Sequence, residues 1–296
     1  MRNSNPHRHV GSHKAGLIFG LISAACVGLT SALTNSLVAV IFPAAMAFTL
    51  GVTGLVVLTP WVFKRLPALL KADSIVVWIR AIAGAVSIEC FIWNLQHADV
   101  GTAHILFNFS LIFVLAAEYV TGKAQFSYSA ATCVVMAAIG IAIYWYDGKL
   151  LVNFDVWAIG LLGAAFATLA YIALSRAALK YDPLLILWTL SLVLIPVSIL
   201  AKSGGWVMPS SKVLLVVVLI SLGNLLAQFL LNLSFKLLPL PVATAIVPSC
   251  VLWGVLIVEI TQRVVPSRHA IVGMLTYVVS IGLLIADSKK KSTRCS

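Results

Sequence analysis

The sequence predicts an all-α membrane protein with ten transmembrane helices arranged as two inverted five-helix repeats. Three observations lead there. Of the 296 residues, 61% are hydrophobic and only 10% charged, against about 45–50% apolar and about 25% charged in a soluble domain. The apolar residues run near-continuously over lengths matching the about 20 residues a helix needs to cross a bilayer, without the period-two alternation of barrel strands. The two halves of the chain also repeat one order of features at a separation of 140 residues. The composition excludes disorder, and 5 Cys are too few for a disulfide scaffold.

Runs between charged or Pro/Gly-rich breaks give the spans Gly16–Val38, Phe42–Phe63, Ser74–Leu95, Thr102–Val120, Phe126–Tyr146, Val156–Ala177, Leu184–Leu200, Lys212–Asn232, Val242–Ile260 and Ala270–Ala286. Residues 1–15 form a polar tail, 16–147 and 154–287 the two repeats, and 288–296 a basic tail. The polar start and the length of the first apolar run argue against a cleaved signal peptide. His7, His9 and His13 read as a solvated tail rather than a metal site.

Ten spans put both termini on one side. That side holds 14 Lys and Arg, the other 5, and Arg80 falls inside a span. By the positive-inside rule both termini are cytoplasmic, in the inner (cytoplasmic) membrane. The net charge of +11 then reflects topology and attraction to anionic lipid, not nucleic-acid binding. Cys26, Cys90, Cys133 and Cys250 fall within spans and read as apolar packing residues; none belongs to a CxxC pair, and Cys295 lies in the tail.

The segment Asn94–Asn108 (NLQHADVGTAHILFN) aligns with Ser234–Pro248 (SFKLLPLPVATAIVP), with Glu118 near Glu259 and Gly140 near Gly282 further on. Five spans per half is an odd number, so the halves face opposite ways, as in secondary transporters whose site lies near the midplane between repeats. With length, helix count and the short turns after the third and eighth spans, the chain resembles the EamA-like branch of the drug/metabolite transporter superfamily. The resemblance implies a secondary carrier with a central cavity lined by helices one, three, four, six, eight and nine. It also implies a Gly-Glu pair about 17 residues before the Gly of the fifth and tenth helices. Here that count lands on Gly122-Lys123 and on Val265, while Glu118 and Glu259 lie earlier, so the role of the family Glu does not carry over to them.

Ionisable groups at membrane depth cost about 2.5–3.5 kcal/mol on insertion scales and each needs a reason. Glu89 lies deepest of the nine carboxylates and is the proton-coupling candidate, the alternative being a neutral Glu in interhelical packing. Arg80 sits nine residues earlier on the opposite face of that helix. Glu118 is its expected partner, as a gate, as an anion contact, or as a side chain that merely snorkels. Asn224, Gln228 and Asn232 follow one another at i, i+4 and i+8. They form a stripe of amides able to line a cavity or to bond neighbouring helices. His104 and Asn108, again four apart, stand with Trp93, Gln96 and His97 near the entrance of their helix. Pro248, opposite Asn108 in the repeat, frees a backbone carbonyl or kinks the helix. Thr30, Thr34 and Asn35 are further lining candidates, and Tyr171 and Trp253 are aromatics placed away from span ends. Most other Trp and Tyr fit interface belts.

P-loop, HExxH, GxSxG and paired Cys/His metal motifs are absent from the sequence. The reading is therefore a carrier, not an enzyme, without cofactor or metal. Its partners are a small-molecule substrate and the bilayer; a monomer suffices, and a dimer is compatible. Amino acids or related metabolites are the preferred substrates, with riboflavin, nucleoside-like compounds or S-adenosylmethionine close behind. The competing classes are a lipid-flipping or assembly subunit and an integral transferase on lipid-linked substrates. The loops are too short and too poor in acid for the transferase.

Overall fold

A computed structural model describes residues 6–37, 40–122, 153–201 and 210–262, with short helical pieces between 136 and 143 and between 268 and 283. The fifth and tenth expected spans and the C-terminal tail lie largely outside the described residues, as does the side chain of Glu259. Every regular element among the described residues is helical. In hydrocarbon there is no water to satisfy backbone groups, so a span must bond internally, which a helix does alone.

The helices are α1 (Pro6–Ser36), α2 (Pro43–Val62), α3 (Ile75–His97), α4 (Val100–Val120), α5 (Phe154–Lys180), α6 (Pro183–Leu200), α7 (Ser211–Leu237), α8 (Leu240–Ile246) and α9 (Cys250–Gln262). Among the described residues, eight helical segments are long and apolar enough to cross a membrane, the last being α8 and α9 together. The chain is a multi-pass, all-α membrane protein. Outward-facing Val56, Ile82, Leu219 and Leu226 supply its apolar surface.

Local chemistry sets the boundaries. Asp99 caps α4 by accepting from Thr102 N at 3.0 Å and from Thr102 Oγ1 at 2.6 Å. Asp182 accepts from Leu184 N at 2.9 Å, with Pro183 in the first turn of α6. Both are favoured N-terminal arrangements. Several helices outrun their expected spans: α1 begins at Pro6, inside the expected tail, and α7 runs on to Leu237. Polar residues can extend a helix beyond the bilayer, where hydropathy no longer marks its end. The expected ninth span is broken. Pro248 has no N–H to give to Thr244, and Val247–Ser249 tightens into a 3₁₀ turn between α8 and α9.

The packing partnerships come in related sets. α3 lies along α5 and α1 along α7; α4 packs on α5 and α9 on α1; α3 meets α6 and α7 meets α2; α2 and α6 pack on each other. Shifting residue numbers by 140 turns each partnership into another of the set. The register holds atom by atom. Ser87 Oγ donates to Gly163 O at 2.9 Å, and Ser23 Oγ to Ala227 O at 2.8 Å. A Cβ on Gly160 would lie 2.8 Å from the Asn94 carboxamide and from Leu106 Cβ; one on Gly20 would lie 3.0 Å from Ser234 Oγ and 3.1 Å from Ile246. Pro43 and Pro183 open α2 and α6, and His97 and Leu237 close α3 and α7.

At one end of the bundle two ion pairs join the α2–α3 connection to the α5–α6 connection: Arg65 with Asp182, and Lys180 Nζ with Asp73 at 3.0 Å. All four side chains are substantially exposed, so each pair contributes little to stability.

The tightest seam yields a test. A Cβ on Gly28 would stand 2.7 Å from Gly254 N and 2.8 Å from Cys250 O, both backbone atoms that cannot turn aside. Overpacking of this kind costs about 1–3 kcal/mol. Gly28→Ala lowers the thermal unfolding midpoint of the purified protein by several degrees, whereas Gly282→Ala, with open space around its Cβ, leaves it level. Equal midpoints for the two variants would contradict the α1–α9 contact.

Candidate functional site

A cavity lies inside the bundle, with about 850 Å³ of empty space including its open mouth. Its wall draws on α1, α2, α3, α4, α5, α7 and α9 with the 3₁₀ turn before it. On α2 and α3 the lining residues (Met46 and Leu50; Ile88, Phe91, Ile92 and Leu95) lie in the helix halves remote from the ion-paired end. The cavity therefore extends from mid-bundle toward the end opposite the two ion pairs.

α1 lines it with Ser23, Thr30, Ser31 and Thr34. Spacings of seven and four keep these hydroxyls on one helical face. Thr30 and Thr34 donate back to Cys26 O at 2.9 Å and Thr30 O at 2.7 Å, so their hydroxyl oxygens remain as acceptors. α7 adds Ser221, Asn224 and Gln228. Asn224 Oδ1 is buried without a hydrogen-bond partner, and Gln228 Oε1 accepts from Arg80 Nη2 at 3.1 Å.

His104 is fully buried on the cavity wall. Its Nδ1 lies 3.2 Å from Cys250 Sγ, its ring 4.9 Å from that of Phe91, and its Nε2 has no partner. Tyr171 closes the α5 side and stacks on Phe235 with centroids 5.4 Å apart.

Of the residues expected from sequence, Thr30, Thr34, His104, Tyr171, Asn224 and Gln228 converge on this cavity. The others do not line it. Asn35 Nδ2 donates to Leu95 O at 2.8 Å and ties α1 to the end of α3. Trp93 stacks on His97 with centroids 3.8 Å apart. Asn108 is buried one turn beyond His104, with both amide atoms unpartnered. Trp253 is half exposed and packs at Gly28. Asn232 Nδ2 donates to Pro183 O at 3.2 Å instead of facing the cavity. Eight residues at about 100° each leave it about 80° away from Asn224, so the amide stripe winds off the wall after Gln228.

Glu89 is buried but sits outside the lining. Its Oε2 has no partner, and it lies on the flank of α3 shared with Gln96, which reaches across to Ile41 O at 2.9 Å. Arg80, only 3% exposed, has its recorded hydrogen bond to Gln228 on α7 rather than to the Glu118 expected from sequence. Glu118 stands half-buried near the end of α4.

Ser23, Ser221, Phe91 and Cys250 belong to the wall without having been singled out. Ser221 extends the Asn224–Gln228 spacing backward by three, a periodic signal the sequence does carry. Phe91 and Cys250 have no such mark, being apolar residues in apolar helices. No group of three or more His, Cys, Asp or Glu able to hold a metal ion occurs among the described residues.

Fold and site together define a multi-pass helical membrane protein with a cavity inside its bundle, whose largely apolar wall carries several hydroxyls and carboxamides. No family model and no curated protein matches the chain. Among solved structures, one described only as "Crystal structure of protein" aligns with a TM-score of 0.71 over 94% of this chain and 98% of its own, at 14% identity. At that identity the likeness concerns the fold alone.

Residues of α7 face both the cavity, as Asn224 does, and the outside of the bundle, as Leu226 does. In a background with the native cysteines replaced, Asn224→Cys reacts with a charged maleimide, because a wetted thiol ionises. Leu226→Cys, on the outer face of α7, stays unlabelled in liposomes. Labelling of Leu226→Cys alone would place the cavity on the wrong face.

Proposed function

We propose that the chain is a secondary carrier of the EamA-like branch of the drug/metabolite transporter superfamily, with ten helices in two inverted five-helix repeats and both termini cytoplasmic in the inner membrane. It moves a small polar or amphipathic metabolite by alternating access, amino acids or related compounds first among the candidates. The observation that carries this reading is the cavity, walled by helices from both halves of a chain whose packing contacts recur at 140-residue spacing. A carrier needs a solvated midplane site between two elements able to rock against each other, and a cavity walled by both halves of the chain supports that reading. The wall is largely apolar but carries the hydroxyls of α1 and the carboxamides of Asn224 and Gln228, a mixture suited to an amphipathic metabolite; a lipid-flipping role would call for a long apolar lateral groove.

The test is flux in proteoliposomes. Preloading with unlabelled amino acids drives uptake of a labelled one by counterflow; riboflavin, nucleosides and S-adenosylmethionine are run in parallel. Counterflow of one class, reduced at least tenfold by Ser221→Trp through filling of the cavity, supports the carrier. Absence of flux for every class, with lipid scrambling instead, would transfer the reading to a flippase.

Proton coupling through Glu89 is judged separately. Glu89→Gln abolishes accumulation driven by a pH gradient and leaves counterflow largely intact if Glu89 carries the coupled proton. Equal loss of both would assign it a packing role on the α2-facing flank of α3.

A further inference from the structure

We propose that Arg80 receives the carboxylate of the transported solute, so that the cavity selects small molecules with one anionic end and an apolar body. This rests on the carrier reading above and specifies the substrate class of the same site.

Arg80 lies within α3, well inside a span, and is 3% exposed. A guanidinium at that depth calls for an anionic partner or a functional reason. Among the described residues the ion pairs are Arg65–Asp182 and Lys180–Asp73, neither involving Arg80. Its neighbours are neutral. Nη2 donates to Gln228 Oε1 at 3.1 Å, Nη1 folds back over Gly84 beside Leu190, and the Tyr171 ring lies within electrostatic reach. Nε has no partner at all. Gln228 and Tyr171 both belong to the cavity wall, so the charge and its unused donor stand directly behind that wall. Among the described residues the lining includes no Asp, Glu, Lys or Arg. A carboxylate presents two oxygens to a guanidinium edge in a paired, charge-assisted contact, and the electrostatic demand at this place is for one negative charge. A phosphate dianion would need a second cation, and Lys236 is exposed at the end of α7.

The repeat makes the opposite side of the cavity informative. The residues 140 positions from Arg80 and Gln228 are Ile220 and Ile88, and both line the cavity. Where Arg80 and Gln228 pair across α3 and α7, with Arg80 behind the wall, the pseudo-equivalent place on the same two helices presents two isoleucines to the cavity. Asn224, one turn from Gln228, keeps Oδ1 unpartnered and offers an acceptor to a donor near the carboxylate, such as an α-ammonium group.

The experiment measures the unfolding midpoint of the purified full chain against L-amino acids and simple monocarboxylates, each beside its carboxamide, with nucleosides and riboflavin as neutral probes. A ligand at 100 times its dissociation constant stabilises by about 2.7 kcal/mol. The expected result is stabilisation by one or more carboxylates with at least tenfold weaker binding of the matched amide. The shift weakens in Arg80→Lys, which keeps the charge but loses the planar fork, and vanishes in Arg80→Gln. Should Arg80→Gln fail to fold, the acid-against-amide comparison on the unaltered protein and on Arg80→Lys decides alone. Equal shifts from acid and amide, or a carboxylate shift that survives in Arg80→Gln, would overturn the inference. So would stabilisation by neutral probes only, and that outcome together with their counterflow would leave the carrier reading standing.

Discussion

Close approach of helices at small residues is the constraint on which everything else in this bundle depends. Lipid tails are as apolar as leucine, so helices in a membrane gain little by hiding apolar surface from them and associate through packing and interhelical hydrogen bonds instead. Gly160 against Leu106, Gly20 against Ile246 and Gly28 against the backbone of α9 bring main chains within reach of one another. Serine hydroxyls at Ser23 and Ser87 fasten the same seams from opposite partners. Those tight outer seams leave the centre, where α1, α3, α4 and α7 turn larger side chains toward one another, incompletely filled.

An interior void in a membrane protein is stable if its polar lining is solvated or paired. Here the hydroxyls of α1 satisfy themselves on their own helix one turn back, a local bond that needs no partner across the gap. Asn224 and His104 leave an atom each without a protein partner, as befits groups meant to exchange water for solute. Structural polar groups are treated differently: Asn35 and Asn232 end on backbone carbonyls of neighbouring helices. Pairing does not by itself separate scaffold from site: Asn108, off the wall, leaves both amide atoms unpartnered, and Gln228, on it, is bonded to Arg80.

The line between scaffold and site marks how far the sequence could be read. Helix identity and approximate span were legible because hydropathy over about 20 residues is a long, redundant signal. The α1 start, the α7 end and the break at Pro248 were less so, since residues beyond the bilayer carry no hydropathic mark and a proline can kink or split a helix alike. For the site, Asn224 and Gln228 were visible as an i, i+4 pair, and Thr34, His104 and Tyr171 as polar or aromatic residues in apolar runs. Asn232 was not separable from them, because three amides at i, i+4 and i+8 look co-facial until the 80° of accumulated rotation meets a particular neighbour. Arg80 was visible as a cation at depth, but its partner was not: α4 follows α3 in sequence, whereas Gln228 lies 148 residues away and reaches it only through packing of the two halves.

The same packing explains why a repeated scaffold can serve a substrate that is not symmetric. At the seams the two halves keep matched places, as with Gly20 and Gly160, even where the residue type changes, as with Ser234 and Asn94. On and behind the cavity wall they differ in character: Ile220 stands at the place of Arg80, Ile88 at that of Gln228, and Ser31 at that of Tyr171. The cavity is therefore unlike at its pseudo-equivalent places within a common frame. In the carrier proposed above, a solute bound between these places would touch both halves at once, and its two ends would lose their contacts unequally as the halves move against each other.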